Sequence, residues 1–359
     1  MSRSTLARVY PEHLRHNAAR VRALAPKARI MACVKANGYG HGITTVAEAL
    51  SQHVDGYAVA CLEEALALRE AGVDKPVLLL EGPHTADEVA EALAYSLTLC
   101  ISNWHQLEWL ESRSERGRIN CWLKIDTGMH RLGFSPGDGM TAYRRLQGCV
   151  ADSTKLVLCT HFARADERAD SSTEKQLRIF DDIVAPLAGP QSCANSAAIL
   201  SLPASHRQWV RPGYMLYGGS PFADATPAEL GLKPGMQLSG EIISLRTVPV
   251  GDRVGYGGRW VARRQSTIAT IAAGYGDGYP RHAPDGTPLM IEGQRSPLAG
   301  RVSMDMLTVD VTDNPAVRIG STAILWGDAP GVDEIASNSG TIGYELLAGM
   351  PQRVRREVQ

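Results

Sequence analysis

A lysine closes the apolar run 29–34, and the stretch that follows it, Ala36–Gly42, is rich in glycine. A buried ammonium group is unfavourable unless it is paired with an opposite charge or loses its proton. Lys35 is therefore either a surface residue that caps a strand or an amine placed there to react. Its simplest reaction is Schiff-base formation with a carbonyl. Free lysine titrates near pH ~10.4, so that reaction requires burial or neighbouring cations.

Further polar side chains stand at or just after the ends of later apolar runs. They are Lys124, Asp126, Arg131, His161, Asn195, Ser196 and Arg211. If parallel strands carry these residues, they meet at one rim of the sheet. Such a rim combines an amine, guanidinium groups, an imidazole and an amide–hydroxyl pair, which suits anion binding and carbonyl chemistry. Backbone at Gly213 and Tyr214 follows the last run, where barrels bind phosphate.

The elements that would position these residues alternate between short β-like runs and amphipathic helical patterns from about residue 30 to residue 217. The strand candidates are 30–36, 57–60, 76–81, 97–102, 119–126, 155–162, 191–195 and 208–213. Strands separated by helices of this length pair in parallel through right-handed crossovers. Eight such strands predict an α/β TIM (β/α)8 barrel, with a doubly wound open sheet as the alternative. The last two units have the shortest helices.

The pattern changes after about Gly231, where strand-like runs are separated by Gly, Pro and Asp turns. These runs predict a second, mostly β domain with a short helical return near residues 333–350. We therefore divide the chain into a barrel domain, 1–230, and a C-terminal domain, 231–359.

Composition narrows the class of protein. The 359 residues carry a formal net charge of −1, are 44% hydrophobic and 21% charged, and include seven scattered cysteines. These values are typical of a globular enzyme, and the absence of a basic run argues against nucleic acid or an anionic membrane as partner. No apolar run reaches the ~20 residues of a membrane span, and no signal peptide is recognised. We expect a cytoplasmic protein with reduced thiols and no metal site.

Nine motifs, in order along nearly the whole chain, resemble those of alanine racemases, pyridoxal 5'-phosphate (PLP)-dependent enzymes of fold type III. They are VKANGYGHG (34–42), LKIDTGMHRLGF (123–134), THFARADE (160–167), NSAA (195–198), RPGYMLYG (211–218), VGYG (254–257), GYGDGYPR (274–281), GRVSMD (300–305) and TIGYEL (341–346). Each motif is weak alone, but the ordered set is specific. The resemblance also suggests that the first residues of the chain belong to the second domain rather than to the barrel.

The resemblance implies that Lys35 forms a Schiff base with PLP and that Arg211 faces the pyridine nitrogen. A phosphate cradle is implied around the cofactor, formed by Tyr39, Asn195, Ser196, Gly213, Tyr214 and Tyr344. His161 would support Arg211 and the catalytic tyrosine. An aliphatic residue commonly stands where this chain has Tyr214, so that residue's phosphate contact is expected through its backbone.

The resemblance further implies a head-to-tail homodimer in which the partner subunit supplies Tyr256 and Met304. Arg131 would contact the phenolic oxygen of PLP and the carboxylate of the substrate, alanine. Lys124 matches a position often carbamylated, which would make it an anion that orients Arg131; an ordinary pair with Asp126 is the alternative. The residues that match the substrate corridor are Asp166, Tyr275 and Tyr344.

Racemisation requires one group on each face of the substrate Cα, one to remove a proton and one to deliver it. The resemblance assigns Lys35 to the D-enantiomer and Tyr256 to the L-enantiomer. A permanently protonated Arg211 would leave the pyridine nitrogen unprotonated and disfavour transamination. The alternatives are a broader amino-acid racemase, a decarboxylase on the same scaffold, and a PLP-carrier protein. The preference for alanine over serine and the choice between D-alanine biosynthesis for peptidoglycan and alanine catabolism stay open.

Overall fold

The computed structural model describes residues 4–113, 119–150 and 152–359. After β1 (Leu6–Val9), which joins another sheet, eight parallel strands close into a barrel in chain order. They are β2 (Arg29–Cys33), β3 (Gly56–Val59), β4 (Val77–Leu79), β5 (Thr98–Ile101), β6 (Asn120–Lys124), β7 (Val157–Cys159), β8 (Gln191–Ser192) and β9 (Trp209–Val210). Pairing of Ile30 with Val210 closes the barrel. The predicted TIM-type barrel is confirmed, and the open sheet is excluded.

Both faces of the barrel strands are covered. All four residues of β3 and all four of β5 are buried, as are the three of β4. Parallel strands with helices outside and side chains inside read as continuous apolar runs rather than as alternating patterns. The barrel interior is therefore a packed core, and polar side chains are free to gather at its rim.

The helices surround the barrel and return at the end of the chain. They are α1 (Pro11–Leu24), α2 (Lys35–Tyr39), α3 (Ile43–Leu50), α4 (Leu62–Glu70), α5 (Ala86–Ala94), α6 (Trp104–Glu111), α7 (Gly139–Gln147), α8 (Ser172–Val184), α9 (Ser196–Ser201), α10 (Val332–Asn338) and α11 (Gly343–Ala348). In α8 the buried residues Thr173, Gln176, Leu177, Phe180 and Val184 recur every three or four positions, which sets one face on the barrel. None of the described helices is long and apolar enough to span a membrane.

Some strand ends differ from the prediction. The first strand ends at Cys33 rather than at residue 36, because the backbone turns sharply from Lys35 onward. The last two barrel strands are two residues each, although the apolar runs extend over 191–195 and 208–213. There the chain leaves the barrel early to form α9 and a 3-10 turn over Tyr214–Tyr217.

The remaining strands form an eight-stranded, mostly antiparallel sheet and a two-stranded ribbon. The sheet contains β1, β10 (Met236–Val248), β13 (Ser266–Ile271), β14 (Pro288–Ile291), β15 (Gln294–Pro297), β16 (Leu307–Asp310), β17 (Thr322–Trp326) and β18 (Arg355–Val358), and the ribbon is β11 (Arg253–Val254) with β12 (Trp260–Val261). β1 lies between β10 and β18, antiparallel to the former and parallel to the latter. We call the barrel with its helices α1–α9 and the 3-10 turn over Tyr214–Tyr217 the barrel unit, and the sheet and ribbon with α10 and α11 the second unit.

Candidate active site

Lys35 begins α2, a helical turn whose backbone is left-handed. Five successive residues, 36–40, have φ between 47° and 76°. For residues with a side chain this conformation is unfavourable by roughly 1–2 kcal/mol each. The turn therefore persists only because neighbouring groups hold it, and it presents the half-buried Lys35 at the carboxyl end of β2.

Three side chains hold this turn, one of its own and two from elsewhere in the chain. The carboxylate of Glu64, on α4, accepts hydrogen bonds from the backbone N–H groups of Ala36 (2.6 Å) and Ala60 (2.9 Å). Asn37 Oδ1 accepts from the N–H of Ile43. From β18, Arg356 Nε donates to the carbonyl oxygen of Gly40 across 2.7 Å. The second unit thus fixes the far end of the turn that carries Lys35.

The residues predicted to bind phosphate lie together at the ends of β8 and β9. Ser196 Oγ accepts from the N–H groups of Gly213 (2.9 Å) and Met215 (3.3 Å), and Asn195 caps α9. A Cβ on Gly213 would lie 2.7 Å from the hydroxyl oxygen of Tyr39, so only glycine allows this approach. Asn195, Ser196, Gly213 and Tyr39 therefore form one compact group.

Four tyrosine rings extend this group in a row. Tyr39 stacks on Tyr217 with ring centroids 4.5 Å apart and lies 6.4 Å from Tyr344, which in turn stacks on Tyr214 at 3.7 Å. Burial raises the pKa of all four hydroxyls, so they stay protonated donors. The hydroxyls of Tyr217 and Tyr214 donate to the carbonyl of Cys33 and to Asp333 respectively.

Arg211 is 5% exposed and is held by neutral acceptors. Its Nη1 donates to the carbonyl oxygen (3.0 Å) and the hydroxyl (2.5 Å) of Ser192. Its Nη2 donates to the carbonyl oxygen of Thr160 (2.6 Å) and lies 3.3 Å from Nδ1 of His161. No carboxylate is among these partners, so the guanidinium keeps its full charge for the site.

Charges concentrate around His161. Burial lowers the pKa of its imidazole well below the usual value, and the nearby cations lower it further. Those cations are Arg211, Lys124, Arg131 and Lys35. The structure therefore brings the predicted rim residues into one electrostatic cluster, in which the low pKa of His161 keeps its imidazole neutral.

The loop after β6 positions Arg131 at the exposed edge of the site. Asp126 Oδ1 accepts hydrogen bonds from the N–H groups of Gly128, Met129 and His130, and its Oδ2 meets the ring of His130. Burial opposes ionisation of Asp126, but these donors outweigh it and lower the pKa of the carboxyl. Asp126 thus shapes the loop, while Lys124, the last residue of β6, is half-buried.

A cavity of about 1270 Å³ opens between the barrel rim and the second unit. The predicted site residues that line it are His161, Asp166, Asn195, Tyr214 and Tyr344. Its described lining includes no residue between 237 and 326. Tyr256, Met304 and Tyr275 lie on the surface of the second unit instead, 70%, 52% and 37% exposed. Within one copy of the chain, these three side chains therefore lie outside the cavity.

The loops that carry Met304 and Tyr275 are joined to each other. The N–H of Tyr275 donates to the carbonyl oxygen of Ser303, and the N–H of Gly276 donates to that of Met304. Arg353 then clamps both loops, with Nε on the fully buried Asp277 (2.9 Å) and Nη2 on Asp305 (2.7 Å). The two residues are presented as one exposed unit.

Sequence reasoning missed several residues that shape the site. Glu64, Asp333, Ser192 and Arg356 bind the turn, the tyrosine row and Arg211, yet none stands in a chemical pattern. Glu64 reads as one more charge on an amphipathic helix, and Asp333 as an ordinary first-turn acid of α10. Ser192 stands three residues before the motif NSAA (195–198), which was the one signal available; the other three pair with the site only in the folded chain.

The fold and the site define a class of enzyme: a parallel barrel with a lysine after its first strand, followed by a second unit made mostly of β-strands. Comparison with known proteins identifies the family within that class. The profiles of the alanine racemase N-terminal and C-terminal domains match residues 9–221 and 235–358. Curated alanine racemases of Halorhodospira halophila (46% identical, covering 99% of this chain and 98% of that protein) and Pseudomonas aeruginosa (the biosynthetic enzyme; 48%, 99% and 99%) are similar to it.

Solved structures agree. The crystal structure of the biosynthetic alanine racemase from Pseudomonas aeruginosa has a TM-score of 0.96 at 47% identity and 99% coverage of both chains. The alanine racemase of Acinetobacter baumannii has a TM-score of 0.93 at 38% identity, over 99% of this chain and 100% of that one. The chain belongs to the alanine racemase family, which confirms the resemblance of its motifs.

Proposed function

We propose that this protein is a PLP-dependent alanine racemase that interconverts L-alanine and D-alanine in the cytoplasm. The observation that carries the proposal is the placement of Lys35 and the neutrally held Arg211 at one rim, in a chain that matches the family throughout. Cys33, Cys61, Cys100, Cys121, Cys159 and Cys193 are free thiols, which is consistent with a reducing compartment.

The residues present fit the cofactor. The hydroxyls of Tyr39 and Tyr344 hydrogen-bond to no residue in the described part of the chain, and the hydroxyl of Ser196 and the backbone of Tyr214 add donors beside them. The N–H of Gly213 donates to Ser196 Oγ and so orients that hydroxyl. Such a set of neutral donors suits a phosphate group. Lys35 would hold the cofactor aldehyde, Arg211 would face its ring nitrogen, and Arg131 its phenolic oxygen. When bound, PLP supplies electron withdrawal from the substrate Cα.

The protein's own groups then move the proton. Lys35 Nζ removes or returns a proton on one face of Cα, and the Tyr256 hydroxyl of a second copy does so on the other. Arg131 and Met304 bind the substrate carboxylate, and a carbamylated Lys124 orients Arg131. Asp166, Tyr275 and Tyr344 line the corridor through which alanine reaches the site.

A homodimer completes this site. Tyr256 and Met304 are exposed and lie outside the cavity of their own chain, which supports their delivery to a partner's barrel. In this dimer the barrel domain, residues 1–230, would bind PLP, and the C-terminal domain of the partner, residues 231–359, would supply the second base. A decarboxylase is disfavoured because an acid, rather than Arg211, would be expected at the ring nitrogen.

The test uses the purified protein loaded with PLP. Incubation with L-alanine in heavy water should give deuterium at Cα and loss of optical rotation, and L-serine should react far more slowly. Equal rates with both amino acids would indicate a broader racemase. A protein that stays colourless with PLP and is not modified by borohydride would overturn the proposal.

Lys35→Met should abolish both the colour and the exchange. Lys155→Met is the matched control, because Lys155 is exposed and precedes β7, at the opposite end of the barrel from the site. That variant should retain the activity of the unmodified protein.

A further inference from the structure

Tyr214 is bound through its ring and its hydroxyl to two different parts of the second unit. Its ring stacks on Tyr344 of α11, with centroids 3.7 Å apart and planes 15° from parallel. Its hydroxyl donates a hydrogen bond to Oδ1 of Asp333, in the first turn of α10. Oδ2 of Asp333 accepts from the backbone N–H of Ser220 at 2.9 Å. One side chain of the barrel unit thus joins both helices of the second unit.

Two glycines make room for this ring. A Cβ on Gly219 would lie 2.1 Å from Tyr214 ring atoms, and a Cβ on Gly343 would lie 1.8 Å from its hydroxyl oxygen. Tyr214 is 1% exposed. Its position is therefore determined from several sides, and it cannot move without moving the backbone of α11 at the residue that precedes Tyr344.

The row of four tyrosines is anchored at its two ends. Tyr217 donates to the carbonyl of Cys33 (2.9 Å), on the strand before Lys35, and Tyr214 donates to Asp333. The two inner rings, Tyr39 and Tyr344, have hydroxyls that bind no other described residue. The outer pair can therefore hold the inner pair in place while leaving the inner hydroxyls free for a ligand.

We propose that Tyr214 and Asp333 are positioning residues that fix the ring of Tyr344, so that its hydroxyl meets the cofactor phosphate. This inference rests on the proposed function. It gives the Tyr214 side chain a task separate from the backbone contact expected of that residue. Because the stack and the hydrogen bond both act on Tyr344, their loss weakens binding of the phosphate group and leaves the reaction of Lys35 with an aldehyde unchanged.

The experiment compares two aldehydes on the apoprotein, PLP and pyridoxal, which lacks the phosphate. Tyr214→Phe keeps the stack and loses the hydrogen bond to a carboxylate, and it should raise the dissociation constant of PLP about tenfold. Asp333→Asn should act in the same direction, and Tyr214→Ile, which also loses the stack, should act most strongly. The affinity for pyridoxal, followed by absorbance, should not change.

Tyr279→Phe is the matched control. Tyr279 is a buried tyrosine that stacks on Trp326, and its hydroxyl has no hydrogen-bond partner among the described residues. Its removal should leave both affinities unchanged. A second check uses Tyr344→Phe, in which adding Tyr214→Phe should bring no further loss of PLP affinity, since the two residues act in series.

The outcomes separate this inference from the proposed function. Unaltered PLP affinity in Tyr214→Phe, or equal weakening of PLP and pyridoxal, would overturn the positioning role alone. Additive losses in the double variant would also overturn it. An unmodified protein that binds neither aldehyde would overturn the proposed function and this inference together. Thermal unfolding of each apoprotein shows whether the variants are folded, and Tyr214→Phe gives a result even if Tyr214→Ile does not fold.

Discussion

Nη2 of Arg211 lies 3.3 Å from Nδ1 of His161. An arginine only donates, so the imidazole nitrogen facing it is the unprotonated one. Burial and the surrounding cations lower the pKa of His161 well below its usual value, so the ring stays neutral and carries its hydrogen on Nε2. A permanent cation thus holds a neutral N–H donor in the wall of the cavity between the barrel rim and the second unit.

We expect the charge of Arg211 to control which product forms. In Arg211→Glu a carboxyl replaces the permanent donor among the carbonyl oxygens of Ser192 and Thr160, and it can share a proton with the ring nitrogen of the cofactor. We expect racemisation to fall by at least ~10²-fold and alanine to transfer its amino group to the cofactor, which releases at most one equivalent of pyruvate per site and leaves the cofactor in its pyridoxamine form; a coupled assay measures the pyruvate. Arg178→Glu, on the exposed face of α8, is the control and should form none. A folded, PLP-loaded Arg211→Glu protein without pyruvate would contradict this role.

The second base is expected to act across the dimer. Lys35→Ala and Tyr256→Phe homodimers should each lose ~10²–10⁴-fold in rate, but a heterodimer of the two contains one intact site if Tyr256 serves the partner. Isolated with two affinity tags, that heterodimer should show about half the activity of the unmodified dimer.

The mirror combination provides the control. A heterodimer of the unmodified chain with the double variant Lys35→Ala/Tyr256→Phe has no intact site if Tyr256 acts across the interface, and one if it acts within its own chain. Activity in this second heterodimer together with none in the first would refute delivery by the partner.

His41 makes stability depend on pH. It is fully buried between Tyr39 and Tyr217, and burial lowers its pKa to about 4. An unfolded histidine takes up its proton near pH ~6.5, so between about pH 6.5 and 4 the unfolded chain binds more protons and stability falls as the pH falls. From pH 7 to pH 5 this contribution is about 2 kcal/mol.

Urea unfolding at the two pH values measures it. His41→Gln should lose less stability on acidification than the unmodified protein, by about that amount. His105→Gln, at a side chain that is 82% exposed, should follow the unmodified protein. Parallel pH curves for His41→Gln and the unmodified protein would show that the buried ring does not cause the effect.

Gly40 joins the lysine turn to the second unit. It has a φ of 76°, and a Cβ there would lie 2.0 Å from the carbonyl oxygen of Leu347 on α11. Gly40→Ala should lower the free energy of unfolding by more than about 3 kcal/mol and impair PLP binding, because the clash adds to the backbone strain. Gly72 has a φ of 78° with no atom within 4 Å, so Gly72→Ala should show the strain alone, about 1 kcal/mol. Equal losses in urea unfolding would refute the contact's importance.

The architecture could be predicted from the sequence because local patterns of apolar residues encode it. The apolar runs of the barrel strands are continuous since both faces are buried, and the helices between them have one apolar side. The sequence did not predict where the first barrel strand ends. Ala36, Asn37 and Tyr39 adopt a left-handed backbone that their types disfavour, and the groups that impose it, such as Arg356, lie far away in the chain.

The active site, likewise, could be predicted only in part from the sequence. Residues at strand ends and in motifs were predictable by type and position, and the structure brings His161, Arg211, Ser196 and Gly213 to one rim. The supporting contacts were not predictable, because the partner of Tyr214 at Asp333 is separated from it by more than a hundred residues. The catalytic and binding roles of the individual residues stay predictions that the experiments above address.

The position of β1 sets an order on how the protein is made. Residues 6–9 leave the ribosome long before their neighbours in the sheet, residues 236–239 and 355–358. The barrel can close during synthesis, while β1 has no partner in the sheet until residues 236–239 have emerged and has both partners only after residues 355–358 have followed. The second unit, which carries the proposed second base, is therefore completed only after the barrel, so any step that needs the finished sheet follows closure of the barrel.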